Sequence, residues 1–160
     1  MTEARSLLVG AIASLTKVPL ILVDGSNVAH GGERTPLIDN LDVVLSTLAP
    51  HPLRVLTMID ASLRHRIDRP QELETRIEFG RVVQAPAGRA VDDFLMQLAR
   101  KKQSEGECVY ILTNDRFPEK DGGRTVQRIA FLIVTIDEHK EVLFSPSIES
   151  LSAHTTESGK

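Results

Sequence analysis

The sequence predicts an α/β sandwich built on a mainly parallel sheet. Three observations carry this reading. Six apolar runs of strand length recur along the chain. Helical patterns separate the first four, the alternation expected of parallel strands joined by crossover helices. The last two runs are linked only by a short polar stretch around Asp137-Glu138-His139-Lys140, so they read as an antiparallel hairpin at one edge.

The elements follow in order. Leu7–Leu15 reads as an N-terminal helix packed on the core, and Leu20–Val23 as the first strand. Leu37, Leu41, Val44, Leu45 and Leu48 fall on one helical face. Thr35 is the expected N-cap of that helix, with Pro36 in its first turn. Ala49-Pro50-His51-Pro52 ends it and leads into the strand Leu53–Ile59. A second helix spans 69–79, with Leu73 and Ile77 inward and Gly80 as its stop. A short strand, Arg81–Ala85, comes next. Phe94, Leu95, Leu98 and Ala99 mark the third helix, closed by Lys/Arg residues and Gly106. Cys108–Thr113, Ile129–Ile136 and Val142–Phe144 complete the strands. Residues 1–146 read as one domain, and 147–160 as a polar, loosely held tail.

Composition bounds the function. The chain has 160 residues, 41% hydrophobic and 26% charged, which suits one soluble globular domain. Its formal charge of −3 excludes a uniformly basic nucleic-acid coat. Aromatics at 4% argue against a stacking platform for bases. One cysteine, expected to be a buried small hydrophobe, excludes an internal disulfide and points to the cytoplasm. No apolar run reaches the ~18 residues of a membrane span, so no membrane partner is expected.

The acids carry the chemistry. Three expected strands end in aspartate: Leu20–Val23 at Asp24, Leu53–Ile59 at Asp60, and Cys108–Thr113 at Asn114-Asp115. Asp92-Asp93 opens the third helix. In a parallel sheet all of these fall at the carboxyl edge, where ligands bind. Each acid has a plainer use: Asp24 in a turn, Asp60 as an N-cap, Asp92 and Asp93 against the helix dipole, Asp115 in an Asx turn. Crowded together they repel by ~1 kcal/mol or more per close pair. A hard divalent cation such as Mg²⁺ offsets that repulsion and suggests phosphodiester chemistry. No nucleophile elbow, Walker loop or dinucleotide fingerprint competes.

ILVDGSNVAH (21–30), APAGRAVDDFLMQLA (85–99) and ILTNDRF (111–117) resemble the NYN branch of the PIN-like ribonucleases, close to Regnase-type domains and small stand-alone bacterial forms. The resemblance covers roughly residues 18–146. It implies a three-layer α/β/α sandwich, endonucleolytic cleavage of single-stranded or structured RNA, and Mg²⁺ or Mn²⁺ held by aspartates. By position, Asp24, Asp92, Asp93 and Asp115 match the catalytic and metal-binding acids. Ser26, Asn27, Asp60 and Asn114 match the supporting positions, Asp60 in only part of the family. The chain lacks Regnase's zinc finger, and Pro118-Glu119-Lys120-Asp121 replaces the usual continuation after NDRF.

Two basic clusters leave the acid edge. Arg64, His65, Arg66 and Arg69 follow Asp60; Arg116, Lys120, Arg124 and Arg128 follow Asp115. Arg64, Arg66 and Arg116 are the expected RNA phosphate contacts, against a plain mixed-charge surface as the other reading. Gly25 serves a tight turn or a positive φ. The loop His30–Arg34 either meets substrate or merely connects. Two further readings keep the fold: a non-catalytic RNA-binding scaffold, and the nuclease of a toxin–antitoxin pair with a small protein partner. The edge strand Val142–Phe144 would pair with a second copy in a homodimer or be capped by the tail.

Overall fold

The computed structural model describes residues 18–114 and 129–151. The expected helix Leu7–Leu15, and with it Asp115, Arg116, Lys120, Arg124 and Arg128, lies outside the described residues. The strands are β1 (Leu20–Asp24), β2 (Arg54–Ile59), β3 (Val83–Gln84), β4 (Val109–Thr113), β5 (Ala130–Ile136) and β6 (Val142–Ser145). The helices are α1 (Gly25–His30), α2 (Ile38–Leu48), α3 (Pro70–Glu78) and α4 (Val91–Ser104). One sheet runs in the order β3-β2-β1-β4-β5-β6. Every pairing is parallel except β5 with β6.

β1 is buried along its whole length, as its unbroken apolar run requires of a strand covered on both faces. Leu20 and Leu22 face one layer with Val109, Ile111, Leu95 and Ala99, beneath α4. Ile21 and Val23 face the other with Val28, Leu41, Leu73 and Leu112, beneath α1, α2 and α3. The result is the three-layer sandwich that the sequence predicts. The chain steps outward from β1 to β2 to β3 on one side, then returns through α4 to β4 on the other side of β1. The strand order therefore reverses between β1 and β4. A crevice at such a switch point, beyond the carboxyl ends, is where open α/β sheets bind ligands.

Several local details differ from expectation. Thr35 does not cap the first long helix, which starts at Ile38. Its first N–H is instead held at 2.9 Å by the carboxylate of Asp68, thirty residues further on. Gly25 is set by crowding rather than by a positive φ. A Cβ there would stand 2.8 Å from Ile59 Cγ2 and 3.0 Å from the Met58 carbonyl oxygen, so only glycine lets α1 begin against β2. Cys108 is half-buried and precedes β4. Residues 148–151 are packed, unlike the loosely held tail expected from 147. Ile148 and Leu151, spaced to share one face of a helical turn over 148–151, are buried in the core beside Val134. The serine-rich surroundings of those two residues mask their apolar pairing. No helix among the described residues is long and apolar enough to cross a membrane.

Asp68 gives a measurable consequence. Desolvation alone would raise its pKa, but the Ile38 N–H and Arg69 outweigh it and hold the carboxyl below its ordinary value. A lowered folded pKa stabilises fully above the unfolded value and is lost as pH falls through the folded one. Asp68→Ala should cost ~1 kcal/mol at pH 7, as for loss of an N-cap. The gap to wild type in urea unfolding should narrow below about pH 4. Equal stability at pH 7 would refute the cap.

Candidate active site

The switch-point crevice is closed by one side chain. Asn27, in α1, accepts two hydrogen bonds on Oδ1, from Thr113 Oγ1 at 2.8 Å and from the Asn114 backbone N–H at 2.7 Å. A backbone N–H can only donate, so the carboxamide orientation follows. Its Nδ2 is turned away from β4. Asn114 Nδ2 donates in return to the Asn27 carbonyl at 3.4 Å. The segment that leaves β1 is thus tied to the residue that leaves β4.

The acids lie around this joint. Asp24 closes β1, is 5% exposed, and accepts the Asn27 N–H on Oδ1 at 3.1 Å, capping α1. The turn-forming use of Asp24 is therefore real. By strand alternation Asp24 shares a face with Leu20 and Leu22, the face covered by α4. Val91, the first residue of α4, is buried in the same cluster as Met58, and Met58 is in register with Asp24. Asp92 and Asp93 follow Val91, so they sit at the same edge and on the same face. Asp92 Oδ1 accepts the Asp93 N–H at 3.0 Å, and Asp93 is exposed. Among the described residues, no three His, Cys, Asp or Glu side chains form a metal-holding group. The fourth acid, Asp115, follows Asn114 directly but lies outside the described residues. The available donors are carboxylate and carboxamide oxygens, a set suited to a hard divalent cation and not to a thiophilic one.

Asp60 belongs to a neighbouring network. Its N–H donates to Ser26 Oγ at 2.9 Å. Its Oδ1 accepts from the Ser62 N–H at 3.0 Å and from Ser62 Oγ at 2.5 Å, shaping a turn in place of the N-cap expected of it, since Ser62 stands at the cap position of Leu63–His65. Burial pushes the Asp60 carboxyl up, but Ser62, Ser26 and the charge of Arg66 together hold it below its usual range. Ser26 thus acts on Asp60.

The cations separate by what already holds them. Arg64 pairs with Glu74 at 3.1 Å and also donates to Gln84, bracing the turn Leu63–His65 against α3 and β3. Arg69 is engaged by Asp39, Asp68 and Glu72. Arg66 is 45% exposed and meets Asp60 at 3.5 Å. It also donates to His30 Nε2 at 3.1 Å. A guanidinium only donates, so His30 Nε2 accepts and the ring proton sits on Nδ1, 3.3 Å from the Glu33 carbonyl. Sequence reasoning missed this His30–Arg66 pair and the part Thr113 plays. Thr113 carried a signal, since strand alternation sets it on the Asp24 face. The His30–Arg66 pair, 36 residues apart, carried none.

The model of the Zc3h12a-like Ribonuclease NYN domain matches residues 17–129, more than two thirds of the chain. No curated protein matches it.

The joint predicts a split between two substitutions. Asn27→Ala leaves the Asn114 N–H without its acceptor, at a cost of ~1–3 kcal/mol. The Asn114 amide should then exchange its hydrogen markedly faster. Asn27→Asp retains an acceptor and should keep the amide protected. Equal exchange in wild type and Asn27→Ala would dismiss the joint.

Proposed function

The chain belongs to the Zc3h12a-like ribonuclease NYN domain family, and from that premise we propose that it is a metal-dependent endoribonuclease acting on single-stranded RNA. The observation that carries this reading is the Asn27 joint. It fastens the end of β1, with Asp24, to Asn114, the residue before Asp115, at the point where strand order reverses. Family membership supplies RNA as substrate; the acid edge supplies the chemistry.

Asp24, Asp92, Asp93 and Asp115 are the residues that would hold Mg²⁺ or Mn²⁺, directly or through water. When bound, such an ion lowers the pKa of a water, polarises the phosphate and stabilises the leaving oxygen. Asp92 or Asp93 orients the attacking water and takes its proton. The exposed position of Asp93 at the start of α4 suits it to a solvent-derived nucleophile. Asn27 and Asn114 keep the two strand ends in fixed relation. Arg66 holds a substrate phosphate beside the acids. Arg64 is committed to Glu74 and Gln84, so its part is to keep the Arg66 turn in place. Arg116 would add a second phosphate contact after Asp115. In-line attack by water leaves a 5′-phosphate and a 3′-hydroxyl.

The test is cleavage of unstructured RNA with product ends mapped. Asp24→Asn and Asp93→Asn should each lower the rate by roughly 100-fold or more. EDTA should abolish cleavage, and Mg²⁺ or Mn²⁺ should restore it. Arg66→Ala should weaken RNA binding and flatten its salt dependence. Undiminished cleavage by both aspartate variants, or in EDTA, would overturn the mechanism.

A further inference from the structure

β5 outruns its neighbour. Its pairing with β4 ends at Thr113↔Ile133, yet β5 continues to Ile136 with β6 on its other side. A cleft of about 570 Å³ opens beside this extension of β5. One wall is α1 and the loop after it, with Asn27, His30 and Glu33; the other is Thr135 and Ile136; Asn114 closes the inner end. The volume falls within the range of small-ligand pockets.

Its chemistry is mixed in a useful way. Ile133 and Ile136, both partly exposed, supply apolar wall. Alternate backbone groups over 134–136 point away from β6, where no described strand pairs with them. Asn27, whose Oδ1 is taken by Thr113 and Asn114, stands at the inner end. His30 is fixed by Arg66 on one ring nitrogen and faces the Glu33 carbonyl on the other. Gly31 is forced by crowding: a Cβ there would lie 2.7 Å from Asn40 Nδ2, and its φ is +51°. The buried Asn40 holds the end of α1 by donating Nδ2 to the Ala29 carbonyl at 3.0 Å, and accepts from Lys140 at 2.8 Å.

We propose that this cleft holds the base and ribose of one nucleotide flanking the scissile phosphate, and that it gives the enzyme a base preference at that one position. The proposal rests on the nuclease reading above. The cleft touches the acid edge through Asn27 and Asn114, so a strand whose phosphate lies at the acids can deliver its neighbouring nucleotide there. Apolar walls hold a base without an aromatic platform, and strand-edge groups read its hydrogen-bonding edge. The remainder of the strand would be held through its phosphates, without base discrimination.

The experiment maps cleavage sites in a randomised single-stranded RNA pool. Wild type should show a preference of about tenfold, the scale of one hydrogen bond, at a single position beside the cut. Thr135→Trp fills the cleft from an exposed position, and His30→Ala removes a wall. Both should flatten the preference to below about threefold, with RNA cleaved more slowly at low substrate. In parallel, wild-type protein titrated with adenosine and uridine 5′-monophosphates should show NMR shifts at 30–33 and 134–136. Cleavage that needs Asp24 but has no positional preference, or one unchanged in both variants, overturns the cleft and leaves the nuclease intact. Absence of wild-type cleavage overturns the nuclease reading; the nucleotide titration then decides the cleft, and no shifts there reject it.

Discussion

The hydrogen bonds at Asn27 Oδ1 are the constraint on which the acid edge depends. Strand pairing alone aligns β1 with β4 only as far as Val23↔Leu112. Beyond that point β1 passes into α1, and Thr113 and Asn114 end the described part of β4 and its exit. A single carboxamide oxygen, accepting from both Thr113 and Asn114, keeps their departures together. Asp24 secures the other end of the same arrangement by capping α1 through the Asn27 N–H. Gly25 allows it sterically, because any side chain there would meet Ile59 and the backbone of β2. A loss at any of the three loosens the geometry of the others.

Around that joint the molecule divides its charged groups by use. Arg54 ties Glu107 to the Val18 carbonyl at the opposite edge of the sheet. Arg76 pairs with Asp42 between α3 and α2. Arg64 and Arg69 are similarly engaged. These partly exposed pairs each contribute little to stability, but they place helices. Arg66 differs because its partners, Asp60, Ser62 and His30, all lie at the carboxyl edge. The cluster after Asp60 thus has Arg64 and Arg69 bracing helices and Arg66 held at the carboxyl edge.

Much of this was legible in the sequence. The six apolar runs appear as six strands, and the short polar link at 137–140 as the antiparallel hairpin. Those signals are local and periodic. Acids at the ends of β1 and β2 follow from reading where each run stops. What escaped depends on contacts between distant residues. Asp68 caps a helix thirty residues earlier, so Thr35 looked like the better cap. Ile148 and Leu151 sit in a serine-rich stretch whose average polarity hides two apolar residues on one turn. The engagement of Arg64 by Glu74 and Gln84 escaped as well, because no local pattern connects those residues to it. The cleft beside β5 arises because two adjacent strands differ in length, a property of pairing and not of either run alone.

The central claim is that the edge organised by Asn27 holds a divalent cation for RNA cleavage. Diffraction from crystals grown with Mn²⁺, collected at the manganese absorption edge, tests it most directly. The account predicts an anomalous peak bounded by Asp24 and the start of α4 at Asp92 and Asp93, absent in Asp24→Asn crystals. A peak elsewhere on the molecule with this edge empty, or a peak at this edge unchanged by Asp24→Asn, would contradict it.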